Sequence, residues 1–152
     1  MKVFWSTFIA TLWIGCASLA AQTASPSIEV SHAWTRATAG AAQTGAVYMT
    51  LKNVGKASDQ LVSVSSPVAG MAELHATMKE GDVMKMQASP PIELKPDVAA
   101  ELKPGGLHVM LMHLKSPLRQ GEKIPVTLTF AAAPSITLEV PVRGPGALSD
   151  TD

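Results

Sequence analysis

The stretch Ile28–Thr35, IEVSHAWT, decides the class of fold. Ile28, Val30, His32 and Trp34 fall on one side of a two-residue period, and Glu29, Ser31 and Ala33 on the other. Alternation of this kind puts neighbouring side chains on opposite faces of an extended strand, whereas a helix needs a period of 3.6. Similar stretches follow: Ala46–Lys52 (AVYMTLK), Gln60–Ser65, Met71–Met78, Val83–Met86, Leu107–Leu114, Ile124–Phe130 and Ile136–Val142. They are short and rich in β-branched residues. Turn signals such as Asn53-Val54-Gly55 and Gly81-Asp82 separate them. The pattern predicts an all-β domain, a Greek-key sandwich or small barrel. Gln87–Gly106 is of mixed character, and its prolines at 90, 91, 96 and 104 suit a loop or edge strands, because proline cannot donate to a ladder.

The two ends of the chain read differently. Lys2 is the only charge in residues 1–20, Val3–Ile14 is mostly apolar, and Ser18 and Ala20 are small residues before a cut after Ala20. That layout predicts a secretory signal peptide. The apolar run is too short for a membrane span, which needs about 20 residues. Gly15-Cys16 also resembles the end of a bacterial lipobox, an alternative that would place a lipid on Cys16 and anchor the protein. Trp13, three residues before the cysteine, speaks against it. The expected organisation is a signal peptide at 1–20, a flexible leader at 21–27, one domain at 28–142 and a disordered tail at 143–152.

Without residues 1–20 the chain has 132 residues, 11 basic and 12 acidic side chains, and a net charge of −1. This gives no basic surface for nucleic acid or anionic membrane. Cys16 is the only cysteine, so the domain itself has none. Thiol oxidoreductases, zinc ribbons, iron–sulfur proteins and blue-copper carriers are thereby excluded, since each needs cysteine.

The chemistry lies in histidine and methionine. Met71, Met78, Met84, Met86, Met110 and Met112 lie between residues 71 and 112, and His75, His108 and His113 fall in the same part of the chain. Thioether sulfur is a soft donor that prefers Cu(I) to zinc, magnesium or calcium. Neutral imidazole also binds copper. A cysteine-free His/Met site holds Cu(I) with no thiolate to oxidise, which suits an exported protein. His108 and Met110, two apart on a strand, share a face. A hairpin turning at Gly81-Asp82 would bring Met86 within reach of His75.

His75, Met86, His108 and Met110 form the pattern H-x10-M-x21-H-x-M. With the surrounding segments SSPVAGMAELHATM, GDVMKM and LKPGGLHVMLMHLKSPLRQGEKIPVTLTF, this resembles the periplasmic copper chaperone family PCuAC over about Ile28–Val142. The resemblance implies a cupredoxin-like β-barrel with one Cu(I) held by His75, Met86, His108 and Met110. It also implies a non-enzymatic, periplasmic, monomeric protein that delivers copper to the copper A centre of cytochrome c oxidase, directly or through another chaperone. The alternative is a copper buffering or resistance protein with no delivery role. Two features depart from the family. The tail lacks the His/Met-rich extension that adds a Cu(II) site in some relatives, and His113 stands where glycine is usual.

The other candidates have plainer readings. Met49 and Met112 are expected to pack, as are Met71, Met78 and Met84, with Met78 and Met84 the foremost candidates for auxiliary sulfurs. His32 and His113 are expected at the surface. Trp34 reads as a core residue beside a surface Arg36. No Ser/His/Asp arrangement or carboxylate pair points to an enzyme.

Overall fold

A computed structural model describes residues 27–152. The expected signal peptide, Cys16 and the leader up to residue 26 lie outside the described residues. Ten strands follow in order: β1 (Ile28–Arg36), β2 (Thr44–Asn53), β3 (Asp59–Ser65), β4 (Ala69–Glu80), β5 (Val83–Ala88), β6 (Ile92–Leu94), β7 (Ala99–Leu102), β8 (Leu107–Leu114), β9 (Lys123–Phe130) and β10 (Ile136–Arg143). The all-β expectation holds. The Pro-rich segment supplies β6 and β7, both short, and β6 ends the sheet as an edge strand.

The strand order is β5-β4-β8-β2-β1-β10-β9-β3-β6, with β7 also pairing β2. One layer runs from β5 to β1 and the other from β10 to β6. A short parallel contact between β1 and β10 joins them at Thr35↔Val142 and Arg36↔Arg143. The chain crosses repeatedly between the layers, and their inner faces enclose the core. Leu51, Leu74, Val109 and Leu111 come from the first layer, and Leu61, Val126, Leu128 and Val140 from the second. Val109 and Leu111 alternate with His108, Met110 and Met112, so burying the apolar set turns the His/Met set outward.

Two local features place the site. Glu80 pairs with Val83, so Gly81 and Asp82 form a two-residue loop, and Gly81 has φ 63°. A positive φ at the first loop position is what glycine supplies in tight hairpins. The second feature is a bulge in β1. Ser31 pairs with Thr50 but Trp34 pairs with Tyr48, so β1 carries one extra residue between those pairs. His32, at φ 51°, lies in that bulge.

The bulge corrects the first reading of IEVSHAWT. One extra residue inverts the alternation, so Ile28 and Val30 pack with the main core while Trp34 turns to the opposite face. There Trp34 is 4% exposed, stacked on Tyr48 at a centroid distance of 4.7 Å. The tail differs from expectation as well. Ala147 is buried against Trp34 and Tyr48, and Arg36 Nε donates to the Ala147 carbonyl at 2.6 Å. The Arg36 guanidinium lies over both rings, 5.6 and 5.7 Å from their centroids. The small residues of GPGALSD had no core period to announce this packing.

Candidate metal centre

The expected ligands come from three adjacent strands. His75 of β4 stands directly opposite His108 of β8, and their rings are 6.2 Å apart between centroids. Met110 pairs with Glu73, two residues before His75, and therefore shares the histidines' face. Met86 of β5 pairs with Thr77, two residues after His75. It is thus the diagonal neighbour of His75 on the same face, as the hairpin reading required. The four side chains meet on the outward face of the first layer, opposite the core.

Their exposures are graded. His108 is buried at 3%, His75 and Met110 are half-buried, and Met86 is 53% exposed. The inner wall beyond His108 is Tyr48, at a centroid distance of 6.4 Å, backed by Trp34. Burial raises the Tyr48 phenol above its ordinary pKa, with Arg36 opposing it, so the phenol stays neutral at pH 7.

Each histidine is held by one nitrogen. His108 Nδ1 lies 2.9 Å from the Gly106 carbonyl, which also accepts the Thr77 backbone N–H at 3.1 Å. A carbonyl can only accept, so Nδ1 carries the proton and Nε2 keeps its lone pair. Gly105, at φ 78°, makes the turn that brings this carbonyl to β4. His75 Nε2 lies 3.2 Å from Glu73 Oε2, which leaves Nδ1 as the free nitrogen. That Nδ1 is buried and has no hydrogen-bond partner. A buried, unpartnered acceptor costs free energy unless something occupies it. Anchoring one imidazole nitrogen on a carboxylate or carbonyl is how metal-binding histidines are oriented.

Among the described residues, no group of three or more His, Cys, Asp or Glu is placed to hold a metal ion. The donors are two imidazoles and two thioethers, a neutral set that suits a soft monovalent ion. Glu73 is the carboxylate beside them, and it touches His75 as an orienting group.

The other candidates divide. Met49 is buried at 1%, as expected of packing. Met71, Met78 and Met84 are 46%, 52% and 58% exposed, so the packing expectation fails for them. Met78 accepts a contact from Gln87 Nε2 at 2.9 Å and pairs with Lys85, on the face away from the site. Met84 and Met71 share the histidines' face. His113 is exposed, as expected, at φ 54°. Its left-handed conformation gives a physical reason for glycine at that position. His32 is exposed and contacts Asp150 at 2.7 Å. Sequence reasoning missed Glu73, Tyr48 and the Gly106 carbonyl. Only Glu73 left a signal, two residues from His75 and so on its face.

Residues 28–142 match the family described as "Putative lipoprotein LpqE-like". The chain is 37% identical over 117 residues to "Putative lipoprotein Lxx21020" of Leifsonia xyli subsp. xyli, a match covering 76% of this chain and 69% of that protein. Among solved structures it resembles the apo PCuAC domain from PmoF1, with a TM-score of 0.66 at 29% identity over 78% of this chain and 94% of that domain. It also resembles the Cu(I) form of DR1885 from Deinococcus radiodurans in solution, with a TM-score of 0.63 at 29% identity over 84% of this chain and 85% of that one. The expected PCuAC resemblance and cupredoxin-like fold both hold.

Proposed function

The chain belongs to the LpqE-like family, and from that premise we propose that it is an exported Cu(I) chaperone. It holds one Cu(I) through His75 Nδ1, His108 Nε2 and the sulfurs of Met86 and Met110. It passes the ion to the copper A centre of cytochrome c oxidase or to an assembly factor for it. The observation that carries this reading is the convergence of all four side chains on one face, with the free nitrogen of His75 buried and unpartnered beside His108. A structural relative solved with Cu(I), at 29% identity, supports the choice of metal.

The arrangement suits transfer. Four neutral ligands leave the bound ion cationic, and none is a thiolate that would hold Cu(I) tightly. Met86 stands on the edge strand, exposed on the same face. A partner's sulfur or imidazole can displace it while His108 still holds the ion from within. His108 and Tyr48 close the inner side, so exchange proceeds from the β5 side.

Competition titration with a chromophoric Cu(I) chelator tests the site. One equivalent is expected for the wild type and none of comparable affinity for the His75→Ala/His108→Ala double variant. Unchanged stoichiometry in that variant would rule out the assignment. Incubating the loaded protein with a soluble copper A domain tests delivery, with copper expected to move to the acceptor. The lipoprotein descriptions of the family and of the Leifsonia relative support a lipid on Cys16 over plain secretion. Mass spectrometry of the mature N-terminus distinguishes the two.

A further inference from the structure

We propose that Met71 and Met112 form a second soft-metal site, separate from the two histidines and joined to them through Met110. Met71 of β4 stands directly opposite Met112 of β8, in the same unbroken register that pairs Glu73 with Met110 and His75 with His108. Their side chains therefore lie on the outward face. Met71 is 46% exposed, and Met112 is half-buried with the neutral Thr44 as its neighbour on β2. Neither belongs to the hydrophobic core.

Directly opposed residues have Cβ atoms about 4.5–5.5 Å apart. Each methionine has three rotatable side-chain bonds, so the two sulfurs can close on one ion with no backbone movement. Met110 lies two residues back along β8 on the same face, about 7 Å away by strand rise. It can supply a third sulfur from the side. Thioethers without a carboxylate select a monovalent d10 ion such as Cu(I) or Ag(I) and discriminate against zinc, calcium and magnesium. The site has no imidazole and is open to solvent, so it binds more weakly than the His/Met centre. The Met71–Met112 pair stands on its own geometry. Its coupling to the histidines rests on Met110 being a ligand there, as proposed above. With that coupling, β8 carries sulfur donors in steps of about 7 Å from Met112 to Met110 to the His108 ring. A soft ion could move along it by exchanging one ligand at a time.

Ag(I), which does not change oxidation state during the measurement, is the probe. The mature protein is titrated while the methionine methyl resonances are followed by ¹H–¹³C NMR. Two equivalents are expected, the second and weaker one shifting Met71 and Met112. The Met71→Leu/Met112→Leu variant, nearly volume-conserving on an exposed face, should keep its fold by circular dichroism, retain the tight equivalent and lose the weak one. The His75→Ala/His108→Ala variant should retain the weak equivalent. Saturation of the wild type at one equivalent overturns the proposal. So does a weak equivalent that survives in the double-leucine variant, or one that shifts Met84 in place of Met71 and Met112. Loss of both equivalents in the double-leucine variant would show a single shared site and also overturn it. Unaltered binding in the histidine variant would count against the His/Met centre and leave the thioether pair standing.

Discussion

Replacing Glu73 with alanine should weaken Cu(I) binding about tenfold and leave the fold intact. Glu73 Oε2 is 3.2 Å from His75 Nε2, and their side chains are 45% and 14% exposed. The carboxylate has two effects on the site. It fixes the tautomer that leaves Nδ1 free, and it places a negative charge near a centre whose ligands are neutral. Groups that hold a ligating imidazole by its other nitrogen are worth 10–100-fold in metal affinity. Nearly half of the Glu73 side chain faces water, which can replace part of the lost hydrogen bond and screens the charge. The lower end of the range therefore applies, about tenfold or about 1.4 kcal/mol. Folding stability should change by less than about 0.5 kcal/mol, because Glu73 is on the surface. Glu73→Gln separates the two effects: its amide oxygen still accepts from Nε2–H, but the charge is gone. An affinity for the glutamine variant close to wild type would assign the effect to orientation, and one matching alanine would assign it to charge. The assay is chelator competition at pH 7, with urea denaturation as the control. Wild-type affinity in the alanine variant would refute the argument that Glu73 presents His75 Nδ1 to the ion.

Three further outcomes are expected. Asp59 is buried, which pushes its pKa up, but N–H donors from Ala133, Gln60 and Ala132 more than offset this and hold it below the ordinary value. Its stabilisation is present above the unfolded pKa of about 3.9 and is lost as pH falls through the lower folded value. Asp59→Ala should therefore cost about 3 kcal/mol at pH 7 in urea denaturation and flatten the acid limb of the stability curve below about pH 4. His113→Gly should stabilise by about 1 kcal/mol and raise Tm in calorimetry, since it removes a left-handed conformation from a residue with a Cβ. Deleting residues 145–152 should expose Trp34, which Ala147 covers. The mature chain has no other tryptophan, so the fluorescence emission should move to longer wavelength. The accompanying loss of stability should be roughly 1–2 kcal/mol.

Much of the fold was legible because each long strand buries one face, which leaves a two-residue period in the sequence. Leu107–Leu114 is the clear case, and its predicted bounds match β8. β6 and β7 showed only as a choice between loop and edge strands, because three- and four-residue strands among prolines are too short to display a period. The bulge at His32 left no compositional trace. Its outcome depends on pairing with β2, which is set by residues far along the chain. The four expected ligands are brought to one face, and their long-range spacing, not local composition, was the signal. Local composition misassigned Met71 and Met84: a methionine beside a strand's apolar set reads as filler until the register shows which face it occupies. The Gly106 carbonyl and Tyr48 act through backbone position and neighbouring-strand register, which no spacing encodes.

The extra residue in β1 makes that strand sensitive to number more than to identity. His32 has a side chain 67% exposed, so many residues could stand in its place at little cost. Removing one residue from the bulge is a different change. Pairing with β2 is fixed on both sides of it, so a deletion would reverse the facing of everything from Trp34 onward. Thr35, now fully buried with its hydroxyl donating to the Ala46 carbonyl, would turn to the outer face. Trp34 and Arg36 would turn inward, placing a guanidinium among the core side chains. The aromatic backing of Tyr48 beside His108 thus depends on the length of a segment that makes no contact with the metal face. Selection there would act on insertions and deletions while leaving substitutions nearly free.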